Sequence, residues 1–166
     1  MIPDPERRGR VLADLYRVLG PRLFDDLEES GLLQGAPPAQ ARAEWECFAL
    51  YACVRGLVAA GGFNRETGAA LDAFHETLLS EALAGTESME GFTERRGLVA
   101  RRYEEYGAIG QEGGASGAAT VASRLGVAAA RHLTAPESPP DGLAELVGAL
   151  HEALVEGAAE AVRSAS

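Results

Sequence analysis

Between Trp45 and Val58 only Glu46, Arg55 and Gly56 interrupt a run of apolar residues. Wound as a helix, this run carries apolar side chains almost all round its axis, and such a helix must be covered on several sides. It needs neighbours, and the rest of the chain supplies them. Apolar residues recur at helical spacing from end to end, and no alternating strand pattern competes. β-Branched residues are scarce while Ala, Leu, Glu and Arg dominate, which favours helix on intrinsic propensity. The expected fold is all-α: one domain over residues 1–166, a bundle of about six helices with short disordered ends.

Element by element, a first helix is expected over about 7–19, with Val11, Leu12, Leu15, Val18 and Leu19 on one side. Gly20 should end it and Pro21 restart a short helix closed by Gly31, since proline suits a first turn. A Gln-Gly-Ala-Pro-Pro loop precedes the central helix, about 38–60, which Gly61-Gly62 terminates. Asn64 then caps a helix to about Leu83, with Leu71, Phe74, His75, Leu78 and Ala82 inward. Gly85 stops it, and Thr86 or Ser88 starts a helix of about 87–109 carrying Phe92, Val99, Tyr103 and Tyr106 as a stripe. A flexible Gly-rich loop is expected over 110–117, then helix over 118–133. Ser138-Pro-Pro-Asp141 reads as the clearest start in the chain, opening a last helix to about Val162.

An offset of 76 positions aligns Arg55 with Arg131, Leu57 with Leu133, His75-Glu76 with His151-Glu152 and Leu78 with Leu154. A duplicated helical hairpin would produce this, and so would chance matching among Ala/Leu-rich helices.

The formal net charge is −10, and all 15 basic residues are Arg. An acidic field repels phosphate and anionic membranes, which argues against nucleic-acid and membrane partners. Cys47 and Cys53 sit six apart on one helix, about 9 Å along its axis and on different faces, so they cannot pair and a reducing, cytoplasmic setting is expected. The opening Met-Ile-Pro-Asp-Pro-Glu-Arg-Arg lacks the apolar stretch of a signal peptide, and the Cys47–Phe63 stretch is too short and interrupted to span a bilayer.

Few residues stand out as chemistry. Arg55, within the most apolar helix, requires a carboxylate, and Asp72, Glu76 or Glu81 on the next helix are nearest by topology. His75 and His151 fall on apolar helical faces. Asp72-x-x-His75 has di-iron spacing, but Gly148 stands three before His151 and no Glu-x-x-His follows. A single haem-ligating histidine stays open, beside the commoner core histidine. Thr120–Leu133 has the Ala, apolar, Gly, apolar order of a helix-turn-helix. His132 then replaces an apolar anchor, and only Arg124 and Arg131 could meet phosphate. Arg95-Arg96 and Arg101-Arg102, interleaved with Tyr103 and Tyr106, form a face able to grip a carboxylate, phosphate or acidic peptide, diluted by Glu104 and Glu105. No nucleophile elbow, dinucleotide fingerprint or phosphate-binding loop occurs.

The leading expectation is a non-enzymatic interaction or regulatory module that binds a protein partner or itself, with no cofactor. The alternative is a small-molecule, metal or haem protein with a pocket near Arg55 and His75. A DNA-binding regulator comes third. The candidate binding residues are Arg55, His75, Glu76, Arg102, Tyr103 and Tyr106.

Overall fold

The periodic apolar stripes fold into six helices in a computed structural model that describes residues 4–84, 88–113 and 118–165. They are α1 (Pro5–Glu29), α2 (Pro38–Gly61), α3 (Arg65–Ala84), α4 (Met89–Gly113), α5 (Ala118–Thr134) and α6 (Leu143–Ser164), and no strand occurs among the described residues. As its composition requires, α2 is central and packs against all five other helices. Trp45, Phe48, Ala49, Ala52, Cys53 and Leu57 are sealed in the core around it.

Three boundaries differ from expectation. Gly20-Pro21 does not divide α1, which runs through Pro21 unbroken. The buried positions Leu12, Ala13, Leu23, Phe24 and Leu27 stay in phase across the proline, so one continuous stripe packs on the core and outweighs the hydrogen bond that Pro21 cannot donate. Trp45 Nε1 donates to the Gly20 carbonyl at 2.9 Å, bringing a tertiary bond to that turn. The last helix starts at Leu143 rather than Ser138, behind Gly142 in the left-handed region. Consecutive prolines explain this, because Pro140 disfavours helical geometry at the residue before it. Residues 110–113, expected in a loop, complete α4; the rest of that loop, 114–117, lies outside the described residues, as does the Gly85 stop. Other signals hold. Asn64 Oδ1 accepts from Thr67 N at 2.8 Å and Ser88 Oγ from Gly91 N at 3.1 Å. Gly62, at φ 76°, closes α2.

The most extensive helix pairs are built on glycine. A Cβ on Gly56 would lie 2.5 Å from Ala158 Cβ and 2.7 Å from the Val155 carbonyl, so α2 and α6 meet backbone to backbone. Gly9 serves α1 against α3 at Ala70 and Ala73, and Gly126 serves α5 against α6 at Ala144 and Gly148. These glycines lie inside helices, whereas in the sequence glycine reads chiefly as punctuation. The suggested duplication has no matching packing: α5 and α6 form an extensive pair, α2 and α3 a slight one.

Candidate functional site

α4 gathers most of the residues singled out in sequence. At about 100° per residue, Glu105, Arg102, Tyr106 and Tyr103 fan across one side of the helix in that angular order. Each meets a different neighbour. Glu105 reaches α5, where His132 Nε2 lies 2.8 Å from both carboxylate oxygens. Arg102 reaches α2, donating from Nε and Nη2 to the two oxygens of Glu44 at 2.8 Å each. Tyr103 reaches α3, its hydroxyl 2.9 Å from His75 Nε2. Tyr106 enters the core against Phe48 and Tyr51, ring centroids 5.1 and 5.7 Å away, and its backbone carbonyl accepts from the Tyr51 hydroxyl at 3.3 Å.

Behind α4 lies an aromatic layer. His151 of α6 stacks on Phe48 at 4.0 Å and 24°, with Tyr51 6.2 Å away. It is 1% exposed, and neither ring nitrogen has a hydrogen-bond partner among the described residues. Burial holds its pKa well below the ordinary histidine value, the Arg55 charge adds to this, and the Phe48 backbone opposes it. Burial also lowers the pKa of His75, against the Asp72 charge and a Leu71 backbone hydrogen bond. The Tyr106 hydroxyl is likewise buried without a partner among the described residues, and desolvation raises its pKa. Both cysteines are free and buried, and burial pushes their thiols up to about 12, which keeps them protonated and unreactive at neutral pH.

The candidate residues therefore divide. Tyr103 and His75 meet each other, Arg102 meets Glu44, and Tyr106 joins the aromatic layer. Arg55 departs from expectation: its carboxylate is Glu152 on α6, not Asp72, Glu76 or Glu81. The α2–α6 pair is the most extensive in the bundle, and Arg55 finds its anion there. Glu76 stands exposed on α3. Among the described residues Arg55 hydrogen-bonds to Glu152 and His75 to Tyr103, and neither lines the two surface grooves described below. The helix-turn-helix order also fails structurally, because α5 runs through Gly126 without a turn. Arg124 and Arg131 are exposed along that single helix.

Sequence reasoning missed Glu44, Glu105, His132 and Glu152. Glu44 had a usable signal: it shares helical faces with Phe48, Tyr51 and Arg55, and an acid on an apolar face requires a cation as surely as Arg55 requires an anion.

One groove, about 240 Å³, lies between α1 and α2 over Tyr16, Phe24, Trp45 and Ala49, with Arg17, Arg42 and Glu46 at its edge. The other, about 310 Å³, follows the α5–α6 crossing. It is lined by Ala122, Ser123, Val127, Ala144, Gly148 and Ala149, and both of its charged lining residues are glutamates, Glu145 and Glu152. Among the described residues no cluster of three or more His, Cys, Asp or Glu is placed to hold a metal ion, and no helix is long and apolar enough to cross a membrane. Comparison with protein-family models, curated proteins and solved structures finds no match to this chain.

Proposed function

We propose that the protein is an interaction module that receives a basic, amphipathic helical segment of a partner protein in the α5–α6 groove. The observation that carries this reading is the lining of that groove, small and mostly apolar side chains with Glu145 and the Arg55-paired Glu152 as its charged members. Small residues at the crossing bring the two helices together and leave a trough shallow enough for one row of partner side chains. Arginine or lysine beside that row would meet Glu145, because Glu152 is already paired with Arg55. A formal charge of −10 favours a basic partner over a second copy and over nucleic acid, because like charges repel. The polar candidates elsewhere support the same reading, since Arg55, His75 and Arg102 are engaged by groups of the fold itself. Two buried, protonated thiols suit a reducing compartment.

An amphipathic Leu/Lys helical peptide tests the groove, with a Leu/Glu peptide of the same pattern as its counterpart. Amide shifts on adding the Leu/Lys peptide should concentrate in 122–127 and 144–152. Ala149→Arg should weaken binding by about tenfold or more through bulk and charge in the groove, while Ala69→Arg on α3 leaves it unchanged. Equal binding of both peptides, or shifts spread over the surface without regard to Ala149, would refute the reading.

A further inference from the structure

We infer that α4 is a latch: a helix that leaves and rejoins the bundle as a unit while the other helices stay folded. Three observations converge on it, and none depends on the α5–α6 groove. The first is what α4 lacks. Among the described residues it buries only Phe92 and Tyr106, fewer than the three of α3 (Thr67, Ala70 and Phe74), whereas α2, one residue shorter, buries ten side chains or glycines and α1 and α6 seven each. Apolar burial is the main force that docks a helix, so α4 belongs at the low-stability end of this structure.

The second observation is what holds α4 instead. Beside the ring contacts of Tyr103 and Tyr106 with α2, polar pairs tie it to three different helices: Arg102 to Glu44 on α2, Glu105 to His132 on α5 and Tyr103 to His75 on α3. A polar pair made inside a protein replaces hydrogen bonds to water, so its net contribution is modest and its separation is supported by solvent on both sides. Such pairs fix the position of the docked helix without making departure prohibitive.

The third is a penalty carried only by the docked state. The Tyr106 hydroxyl, on a residue with 0% exposure, has no hydrogen-bond partner among the described residues, and leaving the bundle returns it to water. The residue that anchors α4 most deeply thus also works against it. Departure uncovers the aromatic side chains of Phe48 and Tyr51 against which Tyr106 packs. An α4 that opens therefore changes what the protein presents to its surroundings, from a charged helix to an aromatic face.

Opposite responses to two substitutions test the latch, read by native-state hydrogen exchange of the full chain at pH 7.5 under conditions where exchange reports opening equilibria. In the unaltered protein, α4 amides should exchange together and at least about tenfold faster than those of α2 and α6. Tyr106→Phe keeps the ring and removes the orphaned hydroxyl, and should slow α4 exchange several-fold or more. Arg102→Gln strands the Glu44 carboxylate under α4 and should speed α4 exchange on the order of a hundredfold, with α2 and α6 amides unchanged. Exchange of α4 at the same rate as α2 and α6 in the unaltered protein overturns the inference, and so does Tyr106→Phe with α4 exchange unslowed. These two measurements decide even if Arg102→Gln does not fold.

Discussion

A neutral imidazole buried against a phenyl ring ties the stability of this molecule to pH. His151 lies stacked on Phe48 with both nitrogens unpartnered among the described residues, and His75 is half-buried against Tyr103. Burial lowers both pKa values below the unfolded value of about 6.5. The unfolded chain then binds more protons than the folded one as pH falls, so the stability due to these groups is whole above about pH 6.5 and is lost as pH drops toward their folded values. The melting temperature should fall between pH 7.5 and pH 5, more steeply than carboxylates alone produce. His151→Leu should flatten that fall while changing stability at pH 7.5 by no more than about 1 kcal/mol, because an apolar group of similar size replaces a ring whose nitrogens have no hydrogen-bond partner in the geometry of the described residues. An unchanged pH slope in His151→Leu would show that the buried imidazole is not its source. At this scale the sequence was half legible. It marked Arg55 as needing a carboxylate, His75 as a histidine on an apolar face, and Arg102 and Tyr103 as a face for an external anion, and all four have partners within the fold. It did not give those partners, because Glu152 and Glu44 become neighbours only once α6 and α4 are laid against α2.

Among the helices, close approach decides more than propensity does. Glycine within a helix costs about 1 kcal/mol relative to alanine when nothing touches it. A methyl added at Gly68 of α3 would meet nothing within 4 Å, so Gly68→Ala should stabilise the protein by about 0.5–1 kcal/mol. Gly56 reverses the sign. Its methyl would press on Ala158 Cβ at 2.5 Å and on the Val155 carbonyl at 2.7 Å, and backbone cannot step aside as a long side chain can. Gly56→Ala should destabilise by about 2–3 kcal/mol, lowering the thermal midpoint by roughly 5–10 °C for a chain of this size. Chemical denaturation of both variants measures the two signs directly, and a stabilised Gly56→Ala would mean that α2 and α6 are not pressed together at this point. The same logic separates what could be read of each helix. Apolar spacing revealed the elements because it belongs to one helix at a time. Whether Pro21 ends α1, or Gly126 turns α5, depends on a stripe continuing in phase beneath it and on a neighbour arriving above it.

For the whole molecule, charge is the property that sequence and structure share without translation. A formal charge of −10 on 166 residues makes the folded state repel itself, and folding brings those charges closer together. Several basic residues are already paired, Arg17 with Asp14 and Glu81, Arg55 with Glu152 and Arg102 with Glu44, so the surplus is acidic. Salt acts on both contributions. It screens repulsion among exposed acids spaced within a Debye length of about 10 Å at 0.1 M, and it weakens exposed pairs such as Arg10–Glu6, worth about 0–1 kcal/mol each. The most buried pair, Arg102–Glu44, has side chains 18% and 8% exposed and is screened least. Relief of repulsion should therefore win, and the thermal midpoint at pH 7.5 should rise by about 2–4 °C, near 1 kcal/mol, between 20 and 200 mM sodium chloride. A falling midpoint would place the balance with the surface pairs instead. The same titration bears on the groove. Binding of the Leu/Lys peptide should weaken over this salt range while the fold grows firmer, because one ionic strength screens attraction to a partner and repulsion within the chain.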